Sequence, residues 1–230
     1  MKLLKLLAVP AFAAVVLLSG CKQSVQNVSI KTEADSMSFA LGVNIAASMK
    51  QSDMKDVNVM AVAKGIEAAL SEKEGVMTNE EAIQFLNSYF TKERERVAAE
   101  NLEAGTKFLE ENATKEGVVV DTTGIQYKVL VEGEGAKPSA TDKVRVHYHG
   151  TRIDGSVFDS SVERGEPFET KLNQVIKGWT IGVQKMSVGS KYIFYIPSNL
   201  AYGANPRPGG PVKPNDVLIF EVELLDIIEE

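Results

Sequence analysis

The chain has 230 residues, of which 44% are hydrophobic and 24% are charged. This composition is typical of folded proteins with one large domain or two small ones, and it argues against wholesale disorder. The formal net charge of -6 at pH 7 argues against nucleic-acid binding, which requires concentrated lysine and arginine opposite phosphates. A single cysteine, Cys21, excludes an internal disulfide and a cysteine-rich zinc site.

The first 21 residues have the layout of an export signal. Lys2 and Lys5 precede an apolar run over 6–18, which is too short to span a bilayer, and small residues then lead to Cys21. The segment LSGC at 18–21 resembles the bacterial lipoprotein box, which implies a signal peptide over 1–20 and acylation of Cys21. We therefore expect a chain that is lipid-anchored in the bacterial cell envelope, in the periplasm and at the outer membrane. The alternative is an ordinary secretory signal that leaves a free thiol.

Two short helices are predicted after the signal. Polar residues dominate 21–30 and indicate a flexible tether. Apolar residues then recur at helical spacing over 35–49, with Asp35 or Ser36 as the expected N-cap, and again over 59–70. These two segments are expected to pair in antiparallel fashion.

A third, long helix is predicted over 79–112, where the chain has no proline. Thr78 and Glu81 have the spacing of a capping box. A helix of this length spans ~50 Å at 1.5 Å per residue, which exceeds a small domain. We expect its two ends to dock in different domains and its charged stretch, 92–96, to face water.

From Gly117 onward the hydrophobic period is two, which predicts β-strands. The alternation is clearest over 144–149, 192–196 and 218–224, with turn residues between these segments. In this half, 174–186 alone has a helical pattern. One helix against an antiparallel sheet gives an α+β domain.

Six segments of this second half resemble the FKBP-type peptidyl-prolyl isomerases in residue type, order and spacing. They are VHYHG (146–150), GSVFDSS (155–161), PF (167–168), VIKGW (175–179), GVQKMSVG (182–189) and AYG (201–203). The helical half is similar, in layout more than in motifs, to the N-terminal dimerisation region of the macrophage-infectivity-potentiator branch. The resemblance implies an all-helical dimerisation domain over 31–116, which includes the long connecting helix, and an isomerase domain over 117–230.

The resemblance also implies a fold and a site. The fold is a five- or six-stranded antiparallel sheet wrapped around one short helix, with an apolar cavity between them. The implied catalytic residues are Tyr148, Phe158, Asp159, Trp179 and Tyr202, with Trp179 at the cavity floor. The implied substrate-binding residues are Phe168, Val175, Ile176, Val212 and Phe220. Two departures from the family, Arg207 and a longer loop at 209–214, bear on substrate preference and macrolide affinity.

The activity that the resemblance implies is peptidyl-prolyl cis–trans isomerisation without a cofactor or a metal. The expected partners are proline-containing unfolded or nascent exported polypeptides, a membrane through the lipid anchor, and a second copy of the chain. Macrolides such as rapamycin are expected inhibitors, and nucleic acid is not an expected partner.

The residue types suit this chemistry. Rotation about a peptide bond crosses ~18–20 kcal/mol because resonance stiffens the C–N bond, and the two isomers are close in energy only before proline. A dry cavity lined by rings would stabilise the twisted, less dipolar amide relative to the planar one. Tyr202 is expected to donate its hydroxyl to a substrate carbonyl, and Asp159 to hold the cavity in shape.

Two other interpretations remain. The helical half carries a set of methionines that would suit a holdase for unfolded chains, in which the cavity has no turnover. This set comprises Met37, Met49, Met54 and Met60.

His147 and His149 point to the same side of a strand, as a metal pair would. The sequence has no third histidine, so we expect both to lie on the outer face of the strand.

Overall fold

The computed structural model describes residues 28–51, 54, 56–71 and 77–228. The predicted signal peptide, the lipidation site at Cys21 and most of the tether lie outside these residues. Within them, no helix combines the length and the apolar character that a membrane crossing requires.

Glu33–Gln51 forms helix α1 and Val59–Leu70 forms helix α2, which confirms the two helices predicted from periodicity. The predicted cap of α1 is wrong, because Thr32 caps this helix. Its Oγ1 accepts from the Asp35 N–H (3.1 Å), and the Asp35 carboxylate accepts from the Thr32 N–H (2.9 Å). Neither helix contains a buried residue, and most of their large apolar side chains are exposed in the single chain.

Asn79–Ala113 forms the predicted long helix, α3. Its 35 residues span about 52 Å. The capping box is present: the Glu81 N–H donates to Thr78 Oγ1 (3.2 Å), and the Thr78 N–H donates to the Glu81 carboxylate (2.8 Å). α3 belongs to one unit with the β-sheet, while α1 and α2 belong to another. The domain boundaries at 30 and 116 stay predictions.

The described residues contain one sheet of seven antiparallel strands. They are β1 (Val118–Val120), β2 (Gln126–Val131), β3 (Lys143–Arg152), β4 (Val157–Ser160), β5 (Phe168–Lys171), β6 (Lys191–Ile196) and β7 (Leu218–Ile228). Their order is β1-β2-β6-β7-β3-β4. β5 pairs with the first half of β3 and β4 with its second half. The sheet has seven strands instead of the expected five or six. The two short strands β4 and β5 both pair with β3, and β1 extends the sheet at the opposite edge.

Two short helices complete the fold: α4 (Ser161–Arg164) and α5 (Lys177–Val183). α5 is the predicted helix. The expectation that 174–186 alone interrupts the strand pattern is wrong, because α4 and a 3-10 turn at Ser198–Leu200 do so as well. A helix of four residues is too short to produce a detectable period.

Two glycines allow α5 to lie directly on the sheet. A Cβ on Gly178 would collide with the side chain of Ile196, and one on Gly182 would lie 2.8 Å from Cε1 of Phe194. Both partners are fully buried on β6. This close approach fixes Trp179 between the helix and the sheet, where it is 4% exposed.

Candidate active site

A cavity of about 420 Å³ opens between α5 and the inner face of the sheet. Ten residues line it: Tyr148, Phe158, Asp159, Phe168, Gln174, Val175, Ile176, Trp179, Tyr202 and Phe220. Nine of them are residues that the sequence resemblance implies. Gln174 was not expected, although it directly precedes the VIKGW segment. Val212 is not among the lining residues. It is half-buried and packs against the core.

Four aromatic rings meet at the cavity floor. The Trp179 ring packs edge-on against Tyr148 (centroids 5.2 Å apart), Phe220 (5.3 Å) and Phe168 (6.5 Å), with interplanar angles of 77° to 88°. The Trp179 Nε1 atom is buried and has no hydrogen-bond partner in the described chain. The floor therefore presents carbon surface to the cavity, with its one N–H turned away from solvent.

Phe158 forms a wall next to this floor. Its ring packs edge-on against Phe220 with centroids 5.2 Å apart. It lies over β3 at a position without a side chain, because a Cβ on Gly150 would lie 2.7 Å from Phe158 Cζ. Gly150 thus allows the β4 aromatic to lean into the cavity.

The polar rim consists of Asp159, Tyr148 and an arginine that sequence reasoning missed. The Tyr148 hydroxyl donates to Asp159 Oδ2 (2.5 Å). The Arg164 guanidinium forms an ion pair with Asp159 and donates to the Tyr148 hydroxyl oxygen (3.0 Å). Burial and the Asp159 carboxylate raise the pKa of Tyr148, partly opposed by Arg164. The pKa of Arg164 is raised above the usual range of arginine by the contacts of Arg164 with Tyr148 and Asp159.

The position of Arg164 follows from local structure. The Ser160 hydroxyl accepts from the Glu163 N–H and caps α4, and Gly165 ends α4 in the left-handed conformation (φ 77°). One helical turn thus returns Arg164 to the carboxylate five residues earlier. The spacing Asp159-x₄-Arg164 is the sequence signal that could have indicated this pair.

Tyr202 also lines the cavity and follows the 3-10 turn at Ser198–Leu200. Its side chain is 49% exposed, and its hydroxyl has no hydrogen-bond partner within the described ranges. Burial, followed by the charge of Asp159, raises the pKa of Tyr202. The hydroxyl is therefore protonated at neutral pH and available as a donor.

His147 and His149 lie on the side of β3 that faces away from the cavity. Their Nδ1 atoms lie 3.1 Å from the hydroxyls of Ser161 and Ser160, respectively. The described residues hold no group of three histidine, cysteine or carboxylate side chains placed to share a metal ion.

Comparison with known proteins gives two family matches that together span most of the chain. Residues 134–225 match the model described as FKBP-type peptidyl-prolyl cis-trans isomerase. Residues 34–129 match the domain amino-terminal to FKBP-type peptidyl-prolyl isomerase. The chain belongs to the FKBP-type peptidyl-prolyl cis–trans isomerase family. The family match covers both the cavity-bearing sheet and the helical half.

Named relatives support this membership. The chain is 50% identical to the FKBP-type peptidyl-prolyl cis-trans isomerase FkpA of Aeromonas hydrophila over 173 residues, which cover 72% of this chain and 63% of that protein. It is 37% identical to the outer membrane protein MIP of Legionella longbeachae over 86% of this chain and 88% of that protein. Among solved structures of the isomerase family, FkpA from Escherichia coli aligns with a TM-score of 0.64 and 32% identity, covering 86% of this chain and 98% of that one.

Proposed function

We propose that this isomerase accelerates cis–trans isomerisation of X–Pro bonds in exported polypeptides by removing water from the twisting amide. The observation that carries the proposal is the ring-lined cavity with Trp179 at its base. Trp179 is 4% exposed, and its one polar side-chain atom, Nε1, is buried. A planar amide is more dipolar than a twisted one, so water stabilises the ground state more than the transition state. A dry apolar surface removes that difference and lowers the barrier.

The rim residues would orient the substrate. The Tyr202 hydroxyl is protonated and has no hydrogen-bond partner in the described part of the chain, so it would donate to a backbone carbonyl beside the proline. Asp159 is held on one side by Tyr148 and on the other by Arg164. This arrangement fixes the carboxylate at the cavity mouth, where its charge would bias the carbonyl that rotates. No bond forms or breaks, so none of these groups has to transfer a proton.

Rim variants test these roles. In a protease-coupled assay with a proline peptide, Asp159→Ala and Tyr202→Phe are each expected to lower kcat/KM about 10-fold or more (~1.4 kcal/mol). Tyr195→Phe is the matched control, because Tyr195 is a half-buried tyrosine outside the cavity. Rapamycin should inhibit the wild type. Unchanged rates in both rim variants would remove this assignment.

The proposal includes a lipid anchor at Cys21 in the cell envelope. Its support is the order of basic, apolar and small residues before Cys21 and the name of the Legionella relative as an outer membrane protein. Several acyl chains, each stabilised by ~0.8 kcal/mol per buried methylene, would anchor the chain without a membrane-spanning helix. Expression of the full sequence should give a detergent-phase protein with a lipid mass on Cys21, and Cys21→Ser should move it to the aqueous phase. An unmodified Cys21 thiol would contradict the proposal.

The proposal also includes a homodimer formed by the helical half. α1 and α2 bury no residue in the single chain, and their apolar side chains include Phe39, which is 60% exposed, and Leu41, which is 57% exposed. A second copy would remove such surface from water. Light scattering of the chain from Cys21 should give a dimer mass, and Phe39→Lys should give a monomer. Val119→Lys, on an exposed valine of β1, should stay dimeric. A monomeric wild type would refute this part.

The same exposed surface favours a second candidate function, which is binding of unfolded chains. Met37 is 62% exposed and Met60 is 52% exposed, and methionine adapts to varied apolar partners. Suppression of aggregation should then survive Tyr202→Phe and rapamycin, and should fall in Phe39→Lys. Aggregation suppression that disappears with rapamycin would place it in the cavity.

A further inference from the structure

The stretch of α3 from Arg94 to Gly105 lies along the loop that carries Tyr202, residues 201–217, called here the Tyr202 loop. Arg94 Nη2 donates to Asn205 Oδ1 in this loop (2.5 Å). The sequence predicted that the charged stretch 92–96 faces water. Arg94 in this stretch also contacts the Tyr202 loop. The long helix and the catalytic loop are in direct polar contact.

Asn215 connects the helix to the backbone next to Tyr202. Its main-chain N–H donates to the carbonyl of Gly203 (2.9 Å), and its side-chain Nδ2 donates to the carbonyl of Ala98 in α3 (3.0 Å). Asn215 is the one described residue other than glycine with a positive φ, at 58°. Asparagine adopts this left-handed conformation more readily than most residues. Asn215 thus combines a sharp turn with a contact to the helix.

Asn101 makes a second connection one turn along α3. Its Nδ2 donates to the carbonyl of Pro214 (2.8 Å) and to Asp216 Oδ1 (3.0 Å). The other carboxylate oxygen of Asp216 accepts from the Lys213 N–H (2.7 Å), and it lies 3.9 Å from the Arg152 guanidinium. The Asp216 side chain is 8% exposed. These bonds are therefore largely shielded from competing water.

We propose that Asn101, Asn215 and Asp216 form a clasp that positions Tyr202 for catalysis, so that α3 is a functional part of the isomerase site. The Tyr202 hydroxyl has no partner of its own in the described residues, and the ring is half exposed, so the position of the hydroxyl depends on the loop backbone. The clasp ties that backbone to a rigid helix at Gly203 and at Pro214. A pre-positioned donor loses less entropy in the transition state than a mobile one. The inference rests on the proposed role of Tyr202 as the donor.

Variants of the full chain can isolate the clasp. Asn215→Gly keeps the left-handed backbone and the N–H that reaches Gly203, and it removes only the bond to Ala98. Asn101→Ala removes the two hydrogen bonds that Asn101 Nδ2 donates to Pro214 and Asp216 at the loop end. Glu103→Ala is the matched control, because Glu103 is an exposed residue of the same helix stretch. We expect kcat to fall about 3- to 10-fold in the two clasp variants with KM nearly unchanged, and no change in the control.

A double-mutant cycle separates positioning from a general loss of stability. In a Tyr202→Phe background the clasp variants should lose their effect on kcat, because the donor that they position is absent. Equal fold-losses in both backgrounds would overturn the proposal, as would wild-type kcat in both single variants.

A spectroscopic measurement keeps the clasp testable apart from the role of Tyr202. In protein labelled with 3-fluorotyrosine, the Tyr202 resonance is the one absent from Tyr202→Phe. It should shift or broaden in Asn215→Gly and Asn101→Ala and stay unchanged in Glu103→Ala. A moved resonance with full activity in Tyr202→Phe would reject the donor role. An unmoved resonance would reject the clasp.

Discussion

The indole of Trp179 offers the sharpest test of catalysis by an apolar floor. Its ring makes edge-on contacts with three other rings, while its N–H is buried and has no hydrogen-bond partner among the residues that the structure describes. Ring surface and hydrogen bonding therefore make separable contributions at this position. Trp179→Phe keeps a ring and removes the N–H, Trp179→Leu keeps apolar surface without a ring, and Trp179→Gln introduces an amide that has no partner there.

The contacts of Trp179 determine the expected change in the free energy of unfolding for each variant. Each edge-on pair contributes ~0.5–1.5 kcal/mol beyond its buried area. Trp179→Phe loses about 40 Å² of apolar burial, or ~1 kcal/mol at 25 cal/mol per Å². It also removes an unpaired N–H that costs ~1–3 kcal/mol, so its net effect on the free energy of unfolding is close to zero. Trp179→Leu should lose ~3 kcal/mol, and Trp179→Gln more, because its amide is also desolvated without a partner.

Activity should fall as the cavity floor loses apolar surface or gains a polar group. We expect kcat/KM within about threefold of wild type for Trp179→Phe, about 10-fold lower for Trp179→Leu, and about 100-fold lower for Trp179→Gln (~2.7 kcal/mol). The assay is proline-peptide turnover, corrected for the folded fraction from urea unfolding of each variant. Tyr192→Leu is the matched control: Tyr192 is a 3% exposed ring with two aromatic neighbours outside the cavity. It should lose stability and keep its turnover.

Two results would refute this reasoning. A folded Trp179→Gln as fast as Trp179→Phe would show that apolar surface is dispensable at the floor. A Trp179→Phe variant as slow as Trp179→Gln would show that the indole N–H, and not the ring, is required.

Three further predictions concern ionisable groups. Burial raises the pKa values of Tyr148 and Tyr202 above the ordinary tyrosine value, so kcat/KM should be constant between about pH 6 and 9; a bell-shaped profile would contradict isomerisation without proton transfer. Lys185 and the Thr123 turn lower the pKa of Asp121 from 3.8 to about 2, so this carboxylate stabilises the fold above pH 3.8 and the gain is lost as pH falls toward 2. Asp121→Asn should therefore cost about 1–2 kcal/mol in urea unfolding at pH 7 and nothing near pH 2; an equal cost at both would contradict the ion pair. Arg164→Met should lower kcat/KM at least threefold and leave the midpoint of urea unfolding nearly unchanged, because its ion pair is nearly half exposed; wild-type kcat/KM would exclude a positioning role.

Local sequence signals predicted most of the secondary structure. The capping box at Thr78 and the uninterrupted helix formers after it define α3 to within one residue. Period-two alternation identified the strands that carry the core, because one face of each is buried. The cap of α1 differs from the prediction because Thr32 pairs with an aspartate three residues on, whereas the usual capping box has glutamate or glutamine at that position.

The site depended on the family resemblance more than on periodicity. The resemblance implies nine of the ten lining residues, and eight of these lie in the six matched segments. Periodicity alone could not identify them, since an aromatic residue in a strand has the same pattern whether it lines a cavity or fills a core. Arg164 was missed because its role requires the turn of α4 to bring it back to Asp159. Val212 lies outside the lining, on the loop 209–214 whose length departs from the family, so its role in substrate binding stays a prediction.

The two sides of the site are held by interactions of different range. The floor is fixed within the sheet and α5, where Gly178 and Gly182 allow Trp179 to lie against β6. The rim at Asp159 is fixed by a four-residue helix next to it. The rim at Tyr202 is contacted by α3, more than a hundred residues earlier in the chain. If the clasp acts as proposed, removal of α3 would leave the apolar floor intact. The Tyr202 hydroxyl, which is the hydrogen-bond donor of the site, would then lose its fixed position. Substrate would then still enter the cavity, and kcat would fall more than the affinity for proline peptides.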